Sequence, residues 1–586
     1  MGDAKAGTTL LERLLRPGRE DARAVRVDLY WLLGFGCLLI GTGLGLRDPW
    51  PADEPRFALI ARDMLASGDW LVPRVGGDLY AHKPPLYFWV MAASMAITGS
   101  LRIGFLLPSL LAGLGTVLLV YDLLRRARGR EAALAGALAL LITLQFVWEA
   151  RQAQIDATLC FLTTLSLYGL LRHLLVAPAP GWFLLGWAAA GLGVITKGVG
   201  FLPLLALVPV AVLVKRGWPA APPSSGLLWA AGPLATLVAI GLWLVPMWLA
   251  TSAGGELLEY RNEILFRQTV TRYAAAWHHN QPAWYYVVKV IPLLWLPLIA
   301  LLPWLVPRWR RDLARRDTLT AVLLAWVLIV LMFFSASAGK RGVYVLPALP
   351  ALVMAAAHWL PELLRARGPR RLGFVLAALL AGVLAALCVY FLVDAAAAAR
   401  IVVRYGAEPG IPLLVAAVAA GAALLVFRPR DAWLAYAGTL AAVLLVTGLM
   451  VYPRIDAIRS GRAFMVLVER ATLDVAELGM VGAHEQYLLQ LRRPSVTFGY
   501  GRWQELEQET ADAAVWLGAS PRRALLLADK ARAACFSHAP SVSLGEWNRE
   551  EWFLVRRAAD PGCATRGDAR TAHRYRPPDD ALNTGS

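Results

Sequence analysis

Long apolar stretches alternate with short polar loops from residue 28 to residue 452. A transmembrane helix needs about 20 apolar residues, and shorter stretches extend into their flanks. The pattern predicts a polytopic α-helical membrane protein with 13 spans, near residues 28–46, 104–124, 132–148, 157–175, 182–196, 199–214, 227–250, 284–306, 318–336, 344–361, 372–393, 411–427 and 432–451.

One further apolar stretch, Leu86–Ile97, follows two prolines and is too short to span a membrane. Counted as a span, it would place the arginines between residues 125 and 130 on the outer side. As an interfacial or re-entrant helix it leaves them inside, and the basic loops at 215–216, 308–316, 365–371 and 428–430 then agree with the positive-inside rule. We therefore expect the N-terminus in the cytoplasm and the C-terminal segment outside, in the periplasm.

The segment after residue 452 differs from the spans in its mixture of polar and apolar residues. Strand-like runs at 476–481 and 495–498, and helical runs at 464–471 and 522–534, predict a small α/β domain whose end, from Tyr575, is disordered. Cys535 and Cys563 lie in this segment. They form a disulfide if the domain is in an oxidising compartment and they are close in space, and their spacing leaves both states open.

This pattern divides the chain into a transmembrane domain, residues 1–452, and a periplasmic α/β domain, residues 453–586. The outer loop 47–103 belongs to the first domain. Its middle, residues 56–66, has helical apolar spacing and predicts an amphipathic helix in the membrane plane, while Trp70 and Tyr80 fit an interfacial aromatic belt.

Composition excludes a soluble protein, because 58% of the 586 residues are hydrophobic and only 17% are charged. The net charge of +17 would indicate nucleic-acid binding in a soluble chain. Here the basic residues are scattered among short loops between apolar stretches, so membrane topology explains them and no nucleic-acid partner is expected.

Several cations depart from the positive-inside pattern and lie on the outer side. Each one alone could reach lipid headgroups. Together, at the outer membrane border, they suit the phosphate or pyrophosphate of a lipid carrier, to which lysine offers a point charge and arginine a bidentate fork. They are Lys83, Lys197, Arg267, Arg272, Lys340 and Arg341, and Tyr344 follows the last pair as a hydrogen-bond donor.

Three acidic residues lie near span ends on the same side: Asp53, Glu54 and Asp156. A carboxylate at a span end is costly without a partner, which makes each a candidate catalytic group. Asp53 and Asp156 could alternatively cap the helices that follow them, and capping and catalysis are compatible.

Histidines also lie on the outer side, at His82, His278 and His279. They could belong to a divalent-metal site, but the spacing of the zinc-binding HExxH and HxxxH patterns is missing, which favours ordinary loop histidines. We predict no cofactor, and no nucleotide motif is present.

At these positions the chain resembles the polyprenyl-phosphate-dependent glycosyltransferases of the GT-C class. It is most similar to the bacterial lipid A aminoarabinose transferases, which are related to protein O-mannosyltransferases. The matching motifs lie within residues 28–350 and read Asp53-Glu54-Pro55-Arg56-Phe57, Ser67-Gly68-Asp69-Trp70, Lys83-Pro84-Pro85-Leu86, Asp156, Thr196-Lys197-Gly198 and Lys340-Arg341-Gly342-Val343-Tyr344.

The resemblance implies a GT-C fold and assigns roles to these residues. Asp53 would be the main catalytic carboxylate, with Asp156 second. Lys83, Arg272 and Tyr344 would hold the carrier phosphate with Lys340 or Arg341 nearby, and Arg267 competes for the place of Arg272. Many relatives have a glutamate where this chain has His82, so the role of that glutamate, including loop ordering through a metal, is in doubt here.

The implied reaction is inverting transfer of a sugar from undecaprenyl phosphate to lipid A, another envelope glycan or a protein, at the periplasmic face of the inner membrane. Asp53 would accept the proton of an acceptor hydroxyl, or orient an acceptor that is already an anion. The alternative function is a lipid-linked sugar flippase. Its charges would more typically lie near the bilayer centre, whereas here they gather at one face.

Overall fold

The structure, a computed structural model, describes residues 22–578 except residues 253, 267–279, 428, 483, 503–504 and 558. Four of the predicted outer-side residues therefore lie outside the described residues: Arg267, Arg272, His278 and His279. The first 21 residues and the predicted disorder after residue 578 also lie outside them.

Long apolar helices dominate the first 450 residues. Among the described residues, seven are long and apolar enough to cross a membrane: Leu101–Arg128, Ile155–Val176, Gly198–Lys215, Gly226–Thr251, Thr318–Ala336, Arg367–Val393 and Pro429–Ala471.

Three further pairs of helices are bent, and counting each as one span raises the number to ten. They are Arg130–Leu141 with Leu144–Ala150 at 66°, Tyr286–Leu294 with Leu298–Ala314 at 98°, and Ala395–Tyr405 with Gly410–Val426 at 108°.

The other apolar helices are Ala22–Ile40, which carries Arg23, Arg26 and Asp28, and the shorter Leu86–Thr98, Pro180–Val194 and Gly342–Ala357. Every predicted span thus overlaps a helix or a bent pair, while helix length and composition support seven to ten crossings. The count of 13 stays a prediction.

The outer loop folds against the protein, in contrast to the predicted membrane-plane helix. Helix Glu54–Ser67 begins with a proline in its first turn and ends at Gly68, whose positive φ suits glycine. Its apolar side chains Phe57, Leu59 and Ile60 are at most 4% exposed, which leaves no apolar face for lipid. A hairpin of β1 (Arg74–Val75) and β2 (Asp78–Leu79) leads on to helix Leu86–Thr98.

The C-terminal segment contains the predicted α/β domain. Its six strands are β3 (Glu477–Met480), β4 (Ser495–Thr497), β5 (Arg523–Ala528), β6 (Ser541–Trp547), β7 (Glu550–Val555) and β8 (His573–Tyr575). They form one mixed sheet in the order β6–β7–β5–β3–β4–β8, in which β3 pairs in parallel with β4 and β5. The helices are Arg462–Ala471, Glu485–Gln490, Leu506–Gly518 and Asp529–Cys535.

Two predictions for this domain were wrong. The run 522–534 is not one helix, because residues 523–528 form the strand β5 between β3 and β7, and helix Asp529–Cys535 follows. The buried centre of a sheet favours a strand there over the helix propensity of an alanine- and leucine-rich run. Tyr575 is not disordered, since it ends β8 opposite Ser495 and is 5% exposed.

One hydrophobic cluster joins the outer loop to the C-terminal domain. Phe57 of the loop helix, Phe88 of helix Leu86–Thr98, and Phe464, Tyr487 and Trp552 of the C-terminal segment all belong to it. A second, larger cluster packs the long helices together. The loop is therefore held between the helices and the domain, and this fixes where its charged residues lie.

We expect Cys535 and Cys563 to form a disulfide in the native protein, since the structure pairs them with 5.6 Å between their Cα atoms. Closing a loop of this length should stabilise the domain by about 3–4 kcal/mol. Replacing Cys535 by serine should therefore lower the melting temperature of the purified protein.

Peptide mass spectrometry without reductant tests the bond directly, with the Cys535→Ser variant as control. Both thiols alkylated in unreduced wild-type protein would contradict the pairing and would place the domain in a reducing compartment.

Candidate active site

A polar cavity of about 80 Å³ lies where several turns meet. Its walls come from the start of helix Glu54–Ser67, the turn before helix Leu86–Thr98, the start of helix Ile155–Leu171, and the turns at 197 and 341–344. The lining residues are Asp53, Arg56, Phe57, Tyr80, His82, Lys83, Gln154, Ile155, Asp156, Lys197, Arg341 and Tyr344.

Asp53 occupies the N-cap position of its helix, but its carboxylate makes no capping hydrogen bond. It accepts instead from Arg341, with 2.8 Å between Oδ2 and Nη2, and lies 3.5 Å from Arg56. Burial alone would raise the pKa of Asp53, but Arg341, Arg56 and Lys83 outweigh it and hold the pKa below its usual value. Asp53 is therefore an ionised carboxylate at neutral pH, directed at the cavity.

Asp156 lies in the first turn of helix Ile155–Leu171 and is 5% exposed. The N-cap position of that helix is taken by Gln154 and not by Asp156, and Lys197 Nζ donates to Asp156 Oδ1 at 2.5 Å. Lys197 Nζ also lies 4.3 Å from the centre of the Tyr344 ring, within the range of a cation–π contact. The second carboxylate is thus paired with its own cation, as the first is.

Lys83 and His82 belong to the turn that leads into helix Leu86–Thr98. The first amide of that helix, Leu86 N–H, donates to the carbonyl of Ile195 at 3.2 Å, which brings the turn beside Lys197. Tyr80 lines the same wall and is 2% exposed, so it does not lie in an interfacial belt. Burial raises the pKa of Tyr80 to about 12, which keeps its hydroxyl protonated.

The walls carry more positive than negative charge. Four cations, Arg56, Lys83, Lys197 and Arg341, face two carboxylates, Asp53 and Asp156. In a partly buried site such an excess attracts and orients an anion, and lysine and arginine are common ligands of phosphate. The arrangement suits binding of a phosphate beside an ionised carboxylate.

Sequence comparisons agree with this chemistry. Residues 82–248 match the family described as dolichyl-phosphate-mannose-protein mannosyltransferase. The undecaprenyl phosphate-alpha-4-amino-4-deoxy-L-arabinose arabinosyl transferase 1 of Pseudomonas fluorescens Pf-5 is 30% identical over 490 residues, which cover 80% of this chain and 84% of that protein. The chain belongs to this arabinosyl transferase family.

Other members of the family match over a shorter range. The transferase of Pseudomonas aeruginosa UCBPP-PA14 is 34% identical over 56% of the chain, and transferase 2 of Pseudomonas fluorescens Pf0-1 is 32% identical over 58%. In these two matches the chain spans 60% and 61% of the relative's length.

The fold also matches a solved structure. ArnT from Cupriavidus metallidurans, in a crystal structure titled as bound to undecaprenyl phosphate, superposes with a TM-score of 0.68 at 22% identity. The match covers 91% of this chain and 98% of that one. The likeness identifies the GT-C-type membrane glycosyltransferase fold.

Glu54, predicted as a catalytic residue, lies away from the cavity. Both of its oxygens are bound by Arg47, with 2.7 Å between Nη2 and Oε1. Two backbone amides also donate to the Glu54 carboxylate, that of Trp50 at 2.9 Å and that of Ala153 at 3.0 Å. Glu54 therefore braces the outer loop against the turn that precedes Asp156.

Lys340 was predicted to bind phosphate and is also placed elsewhere. It is 5% exposed, and its ammonium donates to the backbone carbonyls of Gln281 and Ser337. It orders the turn that presents Arg341, which does reach the cavity. Arg272 lies outside the described residues.

Two residues near the site were not predicted from the sequence. Arg56 lines the cavity beside Asp53; it was part of a matching family motif and of the predicted amphipathic helix, but no role was predicted for it. Glu149, at the end of helix Leu144–Ala150, interacts electrostatically with Asp156 and Arg341. Glu149 directly follows a predicted span, as Asp156 directly precedes one. A carboxylate at a span end was therefore a usable signal for both residues.

No group of three or more histidine, cysteine, aspartate or glutamate side chains that could hold a metal ion occurs within the parts of the chain that are described. His82 lines the cavity and its ring lies 5.0 Å from that of Tyr80.

We expect Glu54→Ala to destabilise the protein by about 3–5 kcal/mol, because it leaves the buried Arg47 charge without a partner. Thermal unfolding in detergent measures this. The double variant Arg47→Met with Glu54→Gln should lose less stability than Glu54→Ala, since neither position then carries a charge. A Glu54→Ala protein with wild-type stability and no sugar transfer would instead return Glu54 to the reacting groups.

Proposed function

We propose that the chain transfers 4-amino-4-deoxy-L-arabinose from undecaprenyl phosphate to lipid A at the outer face of the bacterial inner membrane. Membership of the arabinosyl transferase family supports the donor. The observation that carries the proposal is the cavity, in which Arg56, Lys83 and Arg341 act on an ionised Asp53 and a fourth cation, Lys197, pairs with Asp156. The acceptor rests on the resemblance to lipid A aminoarabinose transferases.

The cations act on the leaving group. The bond between the sugar's anomeric carbon and the phosphate oxygen breaks, and negative charge grows on undecaprenyl phosphate as the sugar becomes oxocarbenium-like. Lys83, Arg341 and Lys197 neutralise that charge, and the Tyr344 hydroxyl donates a hydrogen bond to it. The bond to the acceptor oxygen forms on the opposite face of the sugar, so the anomeric configuration inverts.

Asp53 holds and orients the acceptor. A carboxylate whose pKa is held below its usual value is a weak base toward a hydroxyl group. A phosphate acceptor is already a nucleophile and needs no base, so in transfer to a lipid A phosphate the part of Asp53 is orientation. Arg56, the other cation beside Asp53, offsets the charge of its carboxylate, so an anionic acceptor can approach.

The proposed topology places this chemistry outside the cytoplasm. Thirteen spans, a cytoplasmic N-terminus and a periplasmic domain from residue 453 put every basic loop named above on the inner side. The cavity then lies at the outer ends of the helices, level with the headgroup of a carrier lipid. No nucleotide is required, since the lipid phosphate already activates the sugar.

We expect Asp53→Asn to reduce transfer by about 10²-fold while leaving donor binding intact, because the acceptor is no longer oriented for attack. Mass spectrometry of lipid A should show the pentose-sized addition restored to cells that lack the gene by the wild-type chain and not by the variant. Asp529→Asn, an exposed aspartate of the C-terminal domain, is the matched control. Full turnover by Asp53→Asn would remove it from the mechanism.

The same experiment separates the flippase alternative. Unchanged lipid A and envelope glycans in cells that lack the gene, with carrier-linked sugar accumulating on the cytoplasmic face, would identify transport instead of transfer. Every catalytic role given above would then be wrong.

We expect Lys83→Ala to weaken the affinity for undecaprenyl phosphate by about 10-fold or more, because a charge-assisted contact to the phosphate is lost. Titration of the purified protein with undecaprenyl phosphate measures the dissociation constant. Lys215→Ala removes an exposed lysine at the far end of a span and serves as control. An unchanged dissociation constant for Lys83→Ala would exclude Lys83 from the phosphate site.

A further inference from the structure

The C-terminal domain reaches the candidate active site, and the carboxylate of Glu485 makes a short ionic contact there. Glu485 begins helix Glu485–Gln490, and its Oε1 accepts from Arg56 Nε at 2.6 Å. Arg56 lines the cavity, whereas Glu485 does not. The guanidinium therefore lies between two carboxylates. Asp53 belongs to the outer loop, and Glu485 belongs to a domain more than 400 positions later in the chain.

The two carboxylates bind different nitrogens of Arg56. Glu485 binds Nε, while Nη1 lies 3.5 Å from Asp53 Oδ1. A guanidinium is rigid and planar, so a short contact at Nε determines where Nη1 points. Both partners are largely shielded from water, with 24% of the Arg56 and 12% of the Glu485 side chain exposed, so neither charge is easily left alone.

Glu485 is itself held in place by Tyr500. The Tyr500 hydroxyl donates to Glu485 Oε1 at 3.0 Å, and its ring lies 5.9 Å from the Arg56 guanidinium. The backbone amide of Tyr500 donates to Asp78 Oδ2 at 2.8 Å, which ties this part of the domain to the hairpin of the outer loop.

A second set of contacts joins the C-terminal domain to helix Glu54–Ser67, further along that helix from Arg56. Arg62 donates to the carbonyl of Leu489 and to the Tyr575 hydroxyl, each at 2.8 Å, and that hydroxyl donates to Asp63 at 3.0 Å. Helix Glu485–Gln490 is thus held against helix Glu54–Ser67 at both ends. An anchored element that places a single carboxylate on a cavity-lining arginine is the expected structure of a positioning device.

We propose that Glu485 is a positioning residue for sugar transfer: it fixes Arg56 so that Arg56 holds Asp53 in its reactive orientation. This inference rests on the proposed function of the cavity. It assigns the C-terminal domain a part in catalysis, because the domain completes the set of charges around Asp53. Without the Glu485 charge, Arg56 is drawn onto Asp53 and the carboxylate loses its orientation toward the acceptor.

The test compares Glu485→Gln with Glu477→Gln in steady-state transfer from the undecaprenyl-phosphate sugar to lipid A. Glu477 is a carboxylate of the same domain that pairs with Arg523 and Arg574 and touches no residue of the cavity. We expect kcat to fall about 10-fold in Glu485→Gln, because a charge-assisted hydrogen bond becomes a neutral one. The dissociation constant for undecaprenyl phosphate and the melting temperature should stay near wild type, and Glu477→Gln should retain wild-type kcat.

A double-variant cycle separates positioning from simple folding. In an Arg56→Lys background the ammonium lacks the planar fork, so adding Glu485→Gln should lower kcat less than about 3-fold. Equal losses in both backgrounds would overturn the proposal, as would wild-type kcat in Glu485→Gln. If Glu485→Gln fails to fold, Tyr500→Phe removes only the hydroxyl donated to Glu485. A lowered kcat with unchanged donor affinity then supports the proposal, and an unchanged kcat overturns it.

The outcomes distinguish this inference from the proposed function. A wild-type protein that transfers no sugar, or an Asp53→Asn variant that transfers at full rate, contradicts the proposed function whatever Glu485 does. Transfer by wild type that depends on Asp53 and not on Glu485 contradicts only the positioning role.

Discussion

The hydrogen bonds around the Glu54 carboxylate hold together the parts of the chain that form the site. Arg47, at the start of the outer loop, donates hydrogen bonds to this carboxylate. The backbone amides of Trp50 and Ala153, which lie in two separate turns, also donate to it. The Trp50 indole in turn donates to Asp456 on the last long helix, at 2.9 Å. A buried carboxylate is costly unless every oxygen has partners, so these segments are stable only in this arrangement. Asp53 directly precedes Glu54 in the chain, so the position of Asp53 depends on the hydrogen bonds that hold Glu54.

Opposite charges neutralise each other across the cavity. Asp53 pairs with Arg341, and Asp156 pairs with Lys197. The cavity of about 80 Å³ is smaller than the roughly 300–1,000 Å³ of ligand sites in general. A ligand of the proposed kind therefore has to exchange partners with these ion pairs, its phosphate displacing the carboxylates from the cations. Ion pairs of this kind keep the charges ordered before the substrate arrives.

Sequence reasoning located most of the site because charged residues at the ends of apolar spans are costly unless they bind a partner or a ligand. It reached Asp53, Lys83, Asp156, Lys197 and Arg341 in this way. It assigned Glu54 and Lys340 to the same site because they are neighbours in sequence. Successive residues of a helix or turn point in directions about 100° apart, so each neighbour faces another part of the protein.

Features that depend on distant parts of the chain were not accessible from sequence. Arg56 looked like the polar side of a surface helix, and nothing near it in sequence indicates that Glu485 is its partner. The strand β5 looked helical because its leucines and alanines favour a helix until neighbouring strands enclose them. Likewise, length and composition predict spans well where a helix is straight, and leave the count open where helices bend.

The separation of 429 positions between Arg56 and Glu485 has a consequence for biosynthesis. The ribosome makes the outer loop long before the C-terminal domain. Until that domain has been synthesised and folded, the arginine beside Asp53 lacks its second partner and the hydrophobic cluster shared with Phe464 and Trp552 is open. A chain that stops before this domain thus lacks the contact between Glu485 and Arg56 on which the proposed positioning depends.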